Sequence, residues 1–143
     1  MNQLEKAIAI AVQAHAGQLD KSGAPYILHP LRVMFGVTTE IEQTVAVLHD
    51  VVEDSDWTFD QLRDEGFSQS VLEALDCVTK RENEDYFDFI DRIKVNPLAI
   101  AVKISDLHDN MNLVRIHTPT EKDLQRIKKY EKALAILTNI PKI

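Results

Sequence analysis

Residues 39–54 read TEIEQTVAVLHDVVED, and this run decides the fold class. Thr39 followed three residues later by Glu42 is a capping-box pattern, which opens a helix by satisfying free backbone N–H groups. Behind it Val45, Leu48 and Val52 recur at helical spacing, so one side of the segment is apolar and fit for a core. At about 100° per residue, His49, Glu53, Asp50 and Asp54 fall near roughly 0°, 40°, 100° and 140° on a continuous helix. One flank then carries an imidazole and three carboxylates. A solvated helix end could hold such charges. Buried together, the acids raise one another's pKa unless a cation sits among them.

The same signals continue in both directions. Leu4, Ala7, Ile8, Ala11, Val12 and Ala14 predict a first helix that stops near Gly17. GQLDKSGAP, residues 17–25, is turn-rich and holds two of the four glycines. YILHP, residues 26–30, is the one stretch expected to be extended, with Pro30 opening a short helix to Val37. Thr58 and Gln61 predict a helix over about 59–65, and further helices are expected near 70–78 and 85–94. Asn96 and Pro97 read as N-cap and first residue of a long helix to about Leu113. Thr118, Pro119 and Glu121 read as the capped start of a last helix ending near Thr138. No sustained alternation, repeat or low-complexity run is present. The expectation is an all-α chain forming one compact helical domain over residues 1–143.

Composition narrows the function. Hydrophobic residues are 45% and charged residues 27%, the proportions of a globular protein and not of a disordered one. Sixteen basic against 23 acidic residues give a net charge of −7, which argues against nucleic acid or an anionic membrane surface as partner. No apolar run approaches the ~20 residues that span a bilayer, and the N-terminus shows no signal peptide, so a cytoplasmic location is expected. Cys77 is the sole cysteine and reads as a small packed thiol. No Gly-rich phosphate loop, nucleophilic Ser or Cys motif, or zinc-ribbon spacing appears.

Two further polar features stand where apolar residues would be expected. KISDLHDN, residues 103–110, follows the apolar run LAIAV, with Asp106 and Asn110 sharing a helix face and Lys103 one turn before Asp106. His29 lies between apolar residues and Pro30, so its ring should be held. His15 reads as a packing or supporting residue, His108 and Asp109 as exposed or supporting, and His117 as a loop residue. Lys80 and Arg81 read as a basic pair favourable at a helix end.

Taken together, His29, His49-Asp50 and Asp106 follow the H…HD…D order of the HD-domain metal-dependent phosphohydrolases. HAGQLDKSGAPYILHP (15–30), AVLHDVVEDSDWTFDQL (46–62) and VKISDLHDN (102–110) closely resemble the hydrolase domain of the RelA/SpoT-type alarmone enzymes, over about residues 4–138. The resemblance implies that His29, His49, Asp50 and Asp106 bind Mn²⁺, and that Glu53 and Asp54 are the catalytic pair acting on an activated water. Two imidazoles and two carboxylates would neutralise a divalent ion with nitrogen and oxygen ligands, a set suited to manganese, iron or zinc. It also implies a small phosphorylated nucleotide substrate, the 3′-pyrophosphate of guanosine tetra- or pentaphosphate, contacted by Lys21, Asn110 and Tyr130. Many relatives carry a stacking arginine just before the loop lysine or serine, and this chain has Asp20. A carboxylate there removes a planar cation and repels phosphate. Hydrolysis of another nucleotide or phosphorylated cofactor, and a non-catalytic nucleotide-sensing module, stay open as alternatives, as does homo-oligomerisation.

Overall fold

The computed structural model describes residues 1–112 and 118–139. Nine helices are present among them: α1 (Gln3–Ala14), α2 (Leu28–Phe35), α3 (Glu40–Leu48), α4 (Val51–Asp54), α5 (Phe59–Asp64), α6 (Gln69–Val78), α7 (Tyr86–Ile93), α8 (Pro97–Asn110) and α9 (Glu121–Thr138). The described residues hold no strand, only an isolated bridge between Leu19 and Pro25. The all-α expectation is met. No helix there is long and apolar enough to cross a membrane.

The hub is α3, which packs against α1, α2, α6 and α8. Thr44 to Leu48 are all buried, as a helix apolar on every side must be. The Thr44 hydroxyl donates back to Glu40 O at 2.8 Å, so the one polar side chain in that run is satisfied. Around it α1 contributes Ala7, Ile10 and Ala11, α6 contributes Val71, Ala74 and Leu75, and α8 contributes Ala99, Val102 and Leu107.

Local signals set most helix starts. Thr39/Glu42 and Thr58/Gln61 form full capping boxes, Asn96 caps α8 with Pro97 behind it, and Cys77 lies half-buried in α6. Three expectations fail for stated reasons. The last helix is capped by Thr120 with Asp123, not by Thr118 with Glu121. The helix therefore starts two residues later than expected, and the buried Asp123 carboxylate of the box also lies 3.9 Å from Lys21 and 3.6 Å from Arg126. YILHP is not extended. Leu28 N–H bonds Pro25 O and His29 N–H bonds Tyr26 O, so His29 already belongs to the first turn of α2. Pro30 then sits in that first turn, where its missing N–H costs nothing.

Third, the helix through 39–54 breaks at His49–Asp50, dividing it into α3 and α4. Asp50 takes φ −103° and ψ 0°, and the register shifts so that Val51 is wholly buried while Val52 is only partly so. The predicted flank is therefore bent rather than continuous, with His49 buried, Glu53 and Asp54 exposed and the Asp50 charge acting on both, and His49 and Asp50 face one point. The last residue expected in α8, Leu113, and the loop His117 lie outside the described residues.

Helices α2 and α8 approach closely at Gly36. A Cβ added there would collide with Ser105 Oγ, whose hydroxyl bonds Val33 O at 2.9 Å. Gly36→Ala must displace that hydroxyl, and urea unfolding should show a loss of about 1–3 kcal/mol. In a Ser105→Ala background the added cost should be smaller, because the displaced bond is already gone.

Candidate active site

Four segments converge on one pocket: the start of α2, the α3–α4 break, the middle of α8 and the loop before α2. His29, His49 and Asp106 are buried, and Asp50 is largely enclosed. His49 Nδ1 faces Ala46 O at 2.6 Å, and a carbonyl can only accept, so Nδ1 carries the hydrogen. His29 Nδ1 faces Asp109 Oδ2 at 2.6 Å, and by the same logic donates to that carboxylate. In each neutral ring Nε2 is then a bare lone pair.

These lone pairs point at carboxylate oxygens. His29 Nε2 lies 2.9 Å from Asp106 Oδ1 and 3.6 Å from Asp50 Oδ2. His49 Nε2 lies 3.1 Å from Asp50 Oδ2 and 3.3 Å from Asp106 Oδ1, and it is buried without a hydrogen-bond partner. Such an arrangement needs a positive charge at its centre. Ligands about 2.1 Å from one cation sit about 3–3.5 Å from each other, which the observed separations match. His29, His49 and Asp50 offer ligand atoms within 4.8 Å of one another and can hold a metal ion, with Asp106 Oδ1 beside both imidazoles.

The electrostatics are consistent. Burial acts to lower both imidazoles, but Asp106 and Asp109 around His29, and Asp50 and Asp106 around His49, hold them above the ordinary value. Burial would raise Asp50, yet the His49 charge holds it down to about 2. Asp106 is held well below its usual range: burial opposes this, but Lys103, 2.8 Å from Oδ2, and His49 prevail. Asn110 Nδ2 donates to Asp106 Oδ1 at 3.0 Å, as the shared helix face predicted.

Glu53 and Asp54 sit in α4 at the exposed lip, and burial pushes both carboxyls upward, as does the Asp50 charge. Their exposure makes that push weaker than for the enclosed groups. Glu53 Oε1 accepts the Lys80 backbone N–H at 2.6 Å, which lowers its pKa and tethers α4 to the α6–α7 loop. That loop is shaped by Arg92, which bonds Glu84 at 2.7 and 2.8 Å and the carbonyls of Asp76 and Thr79. Gln18 Nε2 donates to Asp54 O at 2.8 Å and Gln18 Oε1 meets His15 Nδ1 at 2.9 Å, so the buried His15 supports α4 through Gln18.

Beside the four acids and imidazoles opens a cleft of about 390 Å³. Lys21, Asn110 and Tyr130 all line it, together with His29. Sequence reasoning missed Arg32 and Arg126 on the same wall, and Tyr26, whose hydroxyl donates to Asp50 Oδ2 at 2.6 Å. Asp109 is not exposed but carries His29, and its place one turn after Asp106 was the signal available. His108 is exposed as expected. Asp20 lines the cleft, but its Oδ1 accepts from Ser22 N, Ser22 Oγ and Ala24 N, folding the loop that carries Lys21.

No family model matches the chain. Curated relatives do. The chain is 31% identical, in an alignment of 150 positions that covers 95% of it, to a probable GTP pyrophosphokinase of Mycobacterium leprae. It is 31% identical, in an alignment of 121 positions that covers 76% of it, to a guanosine-3′,5′-bis(diphosphate) 3′-pyrophosphohydrolase of Aquifex aeolicus. A solved structure of a metazoan ortholog of SpoT, described as hydrolysing ppGpp with a role in starvation responses, superposes with a TM-score of 0.80. It is 22% identical, and the match covers 97% of this chain and 86% of that one. The chain is thus similar over most of its length to one part of these pyrophosphokinases and pyrophosphohydrolases, and it shares the fold of the metazoan SpoT ortholog. It spans 19% and 17% of the two curated relatives' lengths.

With no cation in the pocket, protons on His29 and His49 must supply the missing charge. Since these imidazoles are held above their ordinary value, their stabilisation is complete below about pH 6.5 and is lost as pH rises through the raised values. Metal-free protein should therefore lose urea resistance as pH rises above about 6.5, while the gain on adding a divalent metal ion grows over the same range, because ligation needs neutral rings.

Proposed function

We propose that this chain is a single HD-type phosphohydrolase domain that removes the 3′-pyrophosphate of guanosine tetra- and pentaphosphate, with Mn²⁺ held by His29, His49, Asp50 and Asp106. The observation that carries the reading is the junction of two features. A lone-pair cluster that demands a cation opens into a cleft walled by Lys21, Arg32, Arg126 and Tyr130. Phosphates are met by cations on one side and by the metal pocket on the other, although the whole chain carries −7.

A bound divalent ion supplies a Lewis acid that acidifies water and offsets phosphate charge. Glu53 and Asp54 take the proton of the attacking water, a role suited to carboxyls held above their ordinary values at an exposed lip. The water oxygen bonds to the phosphorus attached to the ribose 3′ oxygen, the bond between them breaks, and the proton ends on that oxygen. The products are pyrophosphate and GDP or GTP. Lys21 and Arg126 meet the phosphates, Tyr130 offers a face to the base, and Asn110 steadies Asp106. A cytoplasmic setting goes with such a substrate.

Asp20 favours a second reading, the same chemistry on another 3′-phosphorylated nucleotide, because it places a carboxylate on the cleft wall. Its oxygen is engaged by Ser22 and Ala24, and burial, which would raise its pKa, is outweighed by those bonds. Mn²⁺-loaded protein incubated with guanosine tetraphosphate should release equal amounts of pyrophosphate and GDP, and Asp106→Ala should abolish this. Glu53→Gln or Asp54→Asn should lower turnover by about 10²–10⁴-fold while retaining metal. A folded, loaded protein that leaves guanosine tetraphosphate intact would remove the alarmone from the proposal and favour the second reading.

A further inference from the structure

Helices α2 and α8 exchange more than ligands. His29 and Arg32 stand one turn apart on α2, and Asp106 and Asp109 stand one turn apart on α8. Asp106 faces His29 Nε2 and Asp109 faces His29 Nδ1, so α8 grips both edges of one imidazole. The other oxygen of Asp109 accepts Arg32 Nε at 2.7 Å. The chain Arg32–Asp109–His29 is thus two short charge-assisted bonds in series, with the Asp109 side chain 9% exposed.

We propose that Asp109, anchored by Arg32, is a positioning residue that locks the ring of His29 and so sets the affinity of the pocket for a divalent metal. The inference rests on the metal reading of the site. An imidazole ligates through a lone pair, so the hydrogen must stay on the other nitrogen and the ring must not turn. A carboxylate on Nδ1 does both, and it strengthens the donor power of Nε2. His49 obtains the same service from the Ala46 carbonyl, a main-chain group that no side-chain change removes. Asp109 does for His29 with a side chain what the backbone does for His49.

Arg32 makes the idea separable from simple charge. Through space alone, deleting the Arg32 cation would strengthen metal binding, and deleting Asp109 would weaken it. Deleting both would leave affinity near the starting value. If the two act in series on His29, Arg32→Ala weakens binding, and the double variant is as weak as Asp109→Ala alone.

The experiment is Mn²⁺ titration calorimetry on the full chain, for the parent and for Arg32→Ala, Asp109→Ala, Asp109→Asn and the Arg32/Asp109 double alanine variant. Urea melts of each chelated protein are recorded alongside. Asp109→Ala should bind Mn²⁺ about 10–100-fold more weakly, and Arg32→Ala about 3–10-fold more weakly. The double variant should match Asp109→Ala. Should Asp109→Ala fail to fold, Asp109→Asn and the sign of the Arg32→Ala change decide. Stability losses with unchanged Mn²⁺ affinity would reduce the pair to a staple between helices and overturn the proposal, as would a double variant restored to parental affinity. A parent that takes up no Mn²⁺ overturns the metal reading itself and this inference with it, an outcome visible before any variant is compared.

Discussion

Two imidazole nitrogens and two carboxylate oxygens that present lone pairs to one point repel each other, and the fold holds each of the nitrogens within 3.6 Å of both oxygens. Such convergence is costly unless a cation or protons sit among them, and much of the surrounding structure exists to hold it. The break between α3 and α4 turns His49 and Asp50 toward the point. The buried Lys103 ammonium on α8 takes up the second oxygen of Asp106 and lies 5.2 Å from the Phe89 ring centre. Both imidazoles have their outer nitrogens tied, one to main chain and one to Asp109. Remove the central charge and each of these supports holds groups that repel.

Much of this was legible in the sequence, for physical reasons that can be named. Helix starts governed by neighbouring residues were readable because a capping box is a local bargain between a side chain and two N–H groups. Thr39 and Thr58 show it, and Asn96 caps α8 with its own side chain alone. At the last helix two such boxes overlap, Thr118 with Glu121 and Thr120 with Asp123. The second is the one formed, and its Asp123 also lies 3.9 Å from Lys21, about a hundred residues away in the chain. The break at His49–Asp50 left no trace in the hydropathy pattern, since valines at 51 and 52 satisfy either register. In the register beyond the break Val51 is wholly buried and Val52 only partly so.

The chemistry was legible in a different way. Spacing alone left the acids at 50, 53 and 54 compatible with a solvated helix end, and motif resemblance gathered His29, His49, Asp50 and Asp106 into one set. The structure brings that set together, with Lys21, Asn110 and Tyr130 around the adjoining cleft. Asp109 was readable only as one of two alternatives, and Arg32, Arg126 and Tyr26 were not readable, because each acts across helices that only packing brings together. The acidic balance of the chain likewise concealed a cleft whose wall carries three cations.

The tether on Glu53 has a consequence for how this domain can vary. Its partner is the peptide N–H of residue 80, not the lysine side chain. An N–H is supplied by every amino acid except proline, so position 80 can drift freely in sequence while the bond persists. Relatives compared by side chains alone would show no preference there, and an alanine survey would pass over it in silence. What must be kept is the path of the loop, a property spread over Arg92, Glu84 and the carbonyls they gather, and encoded in no single letter at the point where it acts.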